Sequence, residues 1–394
     1  MGSIRENPDF IDAFLKWTDN TEPANNFRLW TAISTIAGLL QRRCFITWEG
    51  PLFPNFYITL AGPAGSRKGT AMRFGRIILN AAGVPLAPES TTREALIRDI
   101  AESYVSTPTG NDIIHHASLT VFSDELAVFL NQKDTRIIRD LNNWFDCPDI
   151  WRYKTKDIKL ADEIANVWVN IIGATTPQLI DAIMPYEVLV GGLSSRMIFV
   201  FAQKKGKIVP IPMKTPEEMA LEVSLINDAH TILQMIGEFK ISTQFLEKNK
   251  KWTYVHEENP PFVGTILEGY ADRRRIHLLK LAMICSVSRG QSMQLEIKDF
   301  DRALAILEKE ELTMLGPFTG YGRSDMASIT ADMIRFLATE KKVLLSRVLE
   351  VFYKDTGDRE MTLKILSTIK GMKKISWVSK PDGDLIITYI MKGD

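Results

Sequence analysis

One short segment limits this chain more than any other: Gly62-Pro63-Ala64-Gly65-Ser66-Arg67-Lys68-Gly69-Thr70. It follows the apolar run Asn55–Leu60 and precedes residues with helical spacing through Leu79. A glycine-rich turn between a strand and a helix aims backbone N–H groups, and the positive end of the helix dipole, at one point. That point suits a phosphate, and Lys68 would reach the β- and γ-phosphates. The segment departs from G-x-x-x-x-G-K-[ST] twice. Arg67 replaces a glycine, and Gly69 stands where a magnesium-binding hydroxyl is expected. Thr70 comes one residue later, as in the Lys-Gly-Thr ending of adenylate kinases, so either Thr70 or water would fill that place. Gly62, Gly65, Ser66, Arg67, Lys68, Gly69 and Thr70 are therefore the expected nucleotide-binding residues.

Such a loop belongs in an α/β fold with a parallel sheet, and the rest of the chain fits one. Cys44–Trp48, Asn55–Leu60, Leu119–Phe122, Val167–Gly173 and Met197–Ala202 read as strands. Residues 8–43, 92–104 and Leu126–Leu141 read as helices between or before them. From Pro216 to about Leu315 the pattern is nearly all helix. After Gly316–Ser324, three helical stretches (326–339, 344–354, 359–372) and two strands (Ile375–Ser379, Leu385–Met391) follow the order of a winged helix. The expected division is a helical collar at 1–43, an α/β core at 44–215, a helical lid at 216–315 and a winged-helix domain at 325–394.

Composition excludes some functions. Lys+Arg and Asp+Glu are each 48 in 394 residues, so binding to nucleic acid by bulk charge is excluded and only a local basic patch remains. Cys44, Cys147 and Cys285 lack metal spacing, which argues against zinc and a disulfide framework. No apolar run is long enough to span a membrane, and Met1-Gly2-Ser3 leads directly to charged residues rather than a signal sequence. The expectation is a cytoplasmic protein with no membrane partner.

A second motif gives the loop a chemistry. Leu119-Thr120-Val121-Phe122-Ser123-Asp124-Glu125 is an apolar run ending in two carboxylates. A P-loop ATPase needs one acid to hold Mg2+ and another to polarise the attacking water. Asp124 is assigned to the metal, with Thr70, and Glu125 to the water.

With these motifs and those that follow, the chain resembles the AAA+ replicative helicases of phages and mobile elements, related to the MCM clade. Ile172-Gly173-Ala174-Thr175-Thr176-Pro177 resembles the sensor-1 Ala-Ala-Asn-Pro, with Thr176 at the Asn position. Gly192-Leu193-Ser194-Ser195-Arg196-Met197-Ile198 resembles Leu-Ser-Arg-Phe-Asp, whose Arg enters the neighbouring subunit's ATP site. Arg273 has the spacing of the sensor-2 Arg on the lid helices, with Arg274 and Arg275 adjacent. The resemblance implies catalytic roles for Lys68, Glu125, Thr176, Arg196 and Arg273, with ATP and Mg2+ as cofactors. It implies a ring-forming homo-oligomer, a hexamer, that acts on single-stranded or forked DNA beside a primase or other replication protein. It also implies a channel hairpin at Trp151–Lys159 and then Ile164–Asn170, where Lys154, Lys156 and Lys159 would grip DNA phosphates. Trp151, Tyr153, His115-His116 and His277 read as structural. Arg359, Lys364, Lys370, Lys373 and Lys374 lie on or after the last predicted helix and suit DNA or protein binding. The MCM N-terminal zinc-bearing region has no counterpart here. Three rivals remain: a helicase loader or origin-binding switch, a nucleotide kinase, and a structural ring that binds ATP weakly.

Overall fold

Tyr57–Ala61 is buried at every residue, and so is Val167–Thr175. Strands apolar on both faces belong inside a parallel sheet covered on both sides. They lie there in the computed structural model, which describes residues 5–88, 91–109, 112–130, 135–153, 163–183, 192–318, 325–371, 374–380 and 384–390. The main sheet has five strands: β1 (Tyr57–Ala61), β2 (Tyr104–Thr109), β3 (Asp112–Ser123), β4 (Val167–Thr175) and β5 (Met197–Phe201). Their order is β2-β3-β4-β1-β5. All neighbours are parallel except the edge pair β2–β3.

Two segments differ from the sequence reading. The strand expected at Leu119–Phe122 begins at Asp112 and pairs with β2, forming a long antiparallel ribbon. Pro108 in β2 is tolerated because an edge strand leaves one row of backbone groups unpaired. The run Ile164–Asn170 is broken at Asn166, whose positive φ of 53° separates Glu163–Ala165 from β4. Glu163–Ala165 instead pairs antiparallel with Ile150–Arg152, the root of the expected hairpin.

The helix Asn25–Leu40 is buried along most of its length and packs on the helix that follows the phosphate loop, Lys68–Ala81. Gly75 permits this approach: a Cβ there would stand 2.7 Å from Thr35 Oγ1 and 2.9 Å from Phe122. The helices Pro216–Leu233, Thr243–Glu258, Tyr270–Arg289 and Ile297–Glu311 follow. Arg302 pairs with Asp9 and Arg5 donates to the carbonyl of Val287 at 2.7 Å, joining the first residues to these helices. The segments expected as collar, core and lid pack as one compact unit, Met1–Phe318.

Thr319–Asp394 is a second unit. Its helices Asp325–Glu340, Leu345–Thr356 and Arg359–Gly371 pack on an antiparallel sheet ordered Lys342–Leu344, Leu385–Tyr389, Ile375–Ser379. The strand Lys342–Leu344 adds to the two expected from sequence. Met333, Leu337, Val348, Ile365, Leu366 and Ile387 form its core. Arg359, Lys364 and Lys370 are exposed on the third helix, and Lys370 Nζ lies 4.1 Å from the Trp377 ring centroid. Among the described residues, no helix is long and apolar enough to cross a membrane.

Candidate functional site

The carboxyl ends of the parallel strands gather one group of the expected residues. β1 ends at Ala61, and the loop turns through Gly65 at φ 81° and Arg67 at φ 64° before the helix starts at Lys68. Alternating handedness of this kind makes a backbone concavity for an anion. A Cβ at Gly62 would lie 2.6 Å from the Ala202 carbonyl, so only glycine fits that closely packed entry. Lys68 folds over the loop, with Nζ donating to Gly62 O at 2.7 Å, Pro63 O at 3.0 Å and Ser66 Oγ at 3.1 Å. Partial burial holds its ammonium below the ordinary lysine value. Arg67 pairs with Glu22 at 2.7 Å, and both line the cavity beside Thr70.

β4 lies between β1 and β3, and this brings Thr176 to the loop. Ala61 is in register with Thr175, and Gly62 N donates to Thr175 O at 3.3 Å. On its other side β4 aligns Gly173 with Ser123, so Asp124 and Glu125 leave β3 at the same edge, both exposed. A Cβ on Gly69 would stand 3.4 Å from Asp124 Oδ1. Gly69 is thus the helix position turned to the acid. Thr70 lies about 100° further round the helix and lines a cavity of about 450 Å³ with Trp17, Phe74, Val209, Pro210 and Met213. Arg76, one heptad from Gly69 on the same helix face, donates to Asp124 at 3.0 Å and to the Phe122 carbonyl at 2.8 Å. The sequence reading missed Arg76 and the cavity. The helical period linking Gly69 with Arg76, and Thr70 with Arg73 and Phe74, was the available signal.

Arg196 and Arg273 are not in this group. Arg196 immediately precedes β5, and Met197 is in register with Tyr57, at the start of β1. The strand alone places it roughly 13 Å from the phosphate loop, four steps at ~3.3 Å. There Arg196 donates to Asp146 Oδ2 at 3.0 Å and Arg273 to Asp146 Oδ1 at 2.8 Å. Arg274 is instead committed to Glu311, at 2.6 Å and 2.7 Å. Arg275 pairs loosely with Glu49 at 3.5 Å. Lys280 lies behind the pair, buried, with Nζ 3.7 Å from the Phe145 ring centroid and 2.6 Å from Asn55 Oδ1. Burial pushes its ammonium down to about 8. His277 is buried, with Nε2 2.9 Å from Ser195 O, and burial pushes it down to about 3. Asp146 was not singled out from sequence, where a lone acid after a helix carries no signal.

Lys154, Lys156, Lys159 and Lys373 lie outside the described residues. Trp151 is buried as expected, edge-on to Trp144. Tyr153 stacks on Trp151 and accepts the guanidinium of Arg93 over its ring at 4.8 Å. His116 is buried against Ser118 Oγ at 2.8 Å. His115 is exposed on the β2–β3 ribbon.

No family model matches this chain, and no curated protein matches its sequence. Among the described residues, no three His, Cys, Asp or Glu side chains gather as a metal cage. A single carboxylate such as Asp124, here paired with Arg76, is the kind of protein ligand Mg2+ takes, since Mg2+ keeps several waters and takes its other ligands from phosphates.

Proposed function

We propose that the chain is an AAA+ ATPase that forms a ring and moves along DNA. The observation that carries this reading is the edge at which Lys68, Thr176, Asp124 and Glu125 meet. A phosphate on the loop amides would lie under Lys68. Mg2+ on Asp124 would stand beside Gly69, and water rather than Thr70 would take the remaining hydroxyl place. Glu125, exposed at the same edge, would hold the attacking water. The neighbouring cavity, walled by Trp17, Phe74 and Val209, is the right size for a base and ribose.

The arginines support the assembly. Arg196 and Arg273 share one half-exposed carboxylate, so the cluster carries more positive than negative charge, with Lys280 adding to it. They stand at the opposite end of the strands from Lys68 and would act on a phosphate only in a neighbour's site. This groups Arg273 with Arg196, as a pair from one subunit. The hairpin rooted at Ile150–Arg152 and the second unit, read as a winged helix, would meet DNA.

The test is Mg2+-dependent ATP hydrolysis with and without single-stranded DNA, combined with particle mass in the presence of ATP. DNA-stimulated turnover by an oligomer is expected. Phosphate transfer to a nucleotide acceptor by a monomer would replace this reading with a kinase.

A further inference from the structure

Directly opposed residues of an antiparallel pair point to the same face. The β2–β3 register pairs Tyr104 with Ala117, Ser106 with His115 and Pro108 with Ile113. Tyr104, Ser106, Pro108, Ile113 and His115 therefore share one face, and all five are exposed. Tyr104 is 50% exposed and Ile113 58%. The other face carries Val105, Thr107, Ile114 and the buried His116, so the ribbon already packs on that side. On the open face the rings of Tyr104 and His115 lie nearly parallel, at 9°, with centroids 5.6 Å apart. Ser106 Oγ lies 2.8 Å from His115 Nδ1 and fixes the imidazole plane. Two flat rings are thus ordered in water, on a face with no carboxylate or ammonium of its own.

The neighbourhood selects the occupant. Asn166 Nδ2 donates to His115 O at 2.7 Å, and Asn166 O accepts from Ala117 N at 3.1 Å. Asn166 directly follows Glu163–Ala165, so a second ribbon is rooted beside the stacked pair. Its Arg152 is 75% exposed and pairs with Glu163 at 3.2 Å. In sequence, the stretch between these two residues has Lys154, Lys156 and Lys159 against Asp157 and Asp162. The local excess is cationic. Aromatic faces open to solvent, next to the ribbon that carries the exposed Arg152, suit a polymer of flat rings joined by phosphates.

We infer that the Tyr104–His115 pair is a stacking platform for an unpaired base of single-stranded nucleic acid. The inference rests on the reading of this chain as a DNA-acting ATPase and names residues that reading does not use. Stacking tolerates any base, because every base has a π face, so the platform would hold a strand without reading its sequence.

The experiment compares fluorescence-anisotropy titrations of the full chain with oligothymidylate and with an abasic strand of equal length, at one salt concentration. The variants are Tyr104→Ala, His115→Ala and Tyr104→Phe. Wild type should prefer the strand with bases. Each alanine variant should bind that strand roughly 5- to 150-fold more weakly, the equivalent of one lost stack. Binding to the abasic strand should not change, and Tyr104→Phe should behave as wild type. Equal affinity of wild type and alanine variants for oligothymidylate overturns the platform. So does a proportional loss on both strands, which would indicate phosphate contacts, or a change in particle mass, which would make this face an interface between copies. Basal ATP hydrolysis is measured alongside. Its absence from wild type would defeat the reading of the phosphate loop while leaving the strand comparison interpretable.

Discussion

Gly69 faces Asp124: a Cβ on the glycine would stand 3.4 Å from the acid's Oδ1. The hydroxyl missing from the glycine-rich loop is therefore missing at the position beside the carboxylate proposed to hold the metal. Gly69→Ser should place an oxygen there and lower, several-fold, the Mg2+ concentration needed for half-maximal ATP binding. Thr70→Ala should weaken ATP binding through the cavity and leave the Mg2+ midpoint unchanged. A shifted midpoint in Thr70→Ala would return the metal role to that residue.

In the proposed reaction Lys68 and Glu125 would act at different stages. Lys68→Ala removes the cation over the loop and should abolish hydrolysis. Glu125→Gln keeps Asp124 for the metal, so ATP binding should survive while turnover falls by ~10²–10⁴, the usual contribution of a positioned base. Wild-type turnover in Glu125→Gln would remove the acid from the reaction.

The shared grip on Asp146 makes a sharper prediction about Arg196 and Arg273. Each alanine variant alone should lose ~10³–10⁵ in turnover if it meets charge developing on the transferred phosphoryl group. Either one mixed with Lys68→Ala subunits should regain activity, because some interfaces then pair an intact loop with an intact arginine pair. Arg196→Ala mixed with Arg273→Ala should regain none, since every interface lacks one arginine. Recovery in that last mixture would mean that the two act from different subunits.

Glu310 links stability to pH. It is buried, accepting from Trp30 Nε1 at 3.0 Å and from Phe201 N at 3.2 Å, and burial pushes its carboxyl up to about 7. A carboxyl raised in the folded state favours folding fully at pH below its unfolded value. That contribution is lost as pH rises through the folded value. The difference is worth at most about 3 kcal/mol between pH 4.5 and pH 7. Thermal melting should show Glu310→Gln gaining stability relative to wild type as pH rises from 5 to 8. A constant difference across that range would place the ionised carboxylate in the fold.

What the sequence determined was what a residue's own element can carry. The glycine-rich turn from strand to helix was legible because its glycines, Lys68 and the following helix are contiguous; glycine accounts for the left-handed turn at Gly65, while Arg67 takes that conformation without being glycine. Continuous apolar runs marked β1 and β4 as buried on both faces, and the carboxylates after β3 marked the edge at which it ends. Periodicity states which face of an element a side chain takes. It does not state which element lies opposite. Tertiary structure decided that β4 separates β1 from β3 and brings Thr176 beside Gly62. It also turned Gly69 rather than Thr70 toward Asp124, and joined Arg196 and Arg273 through Asp146. The β2–β3 ribbon escaped the sequence reading because its outer face mixes Tyr, Ser, Pro, Ile and His and is solvated, a pattern that resembles no buried strand. These pairings come from burying many faces at once, so strand order and the meeting of distant side chains are properties of the whole packed core.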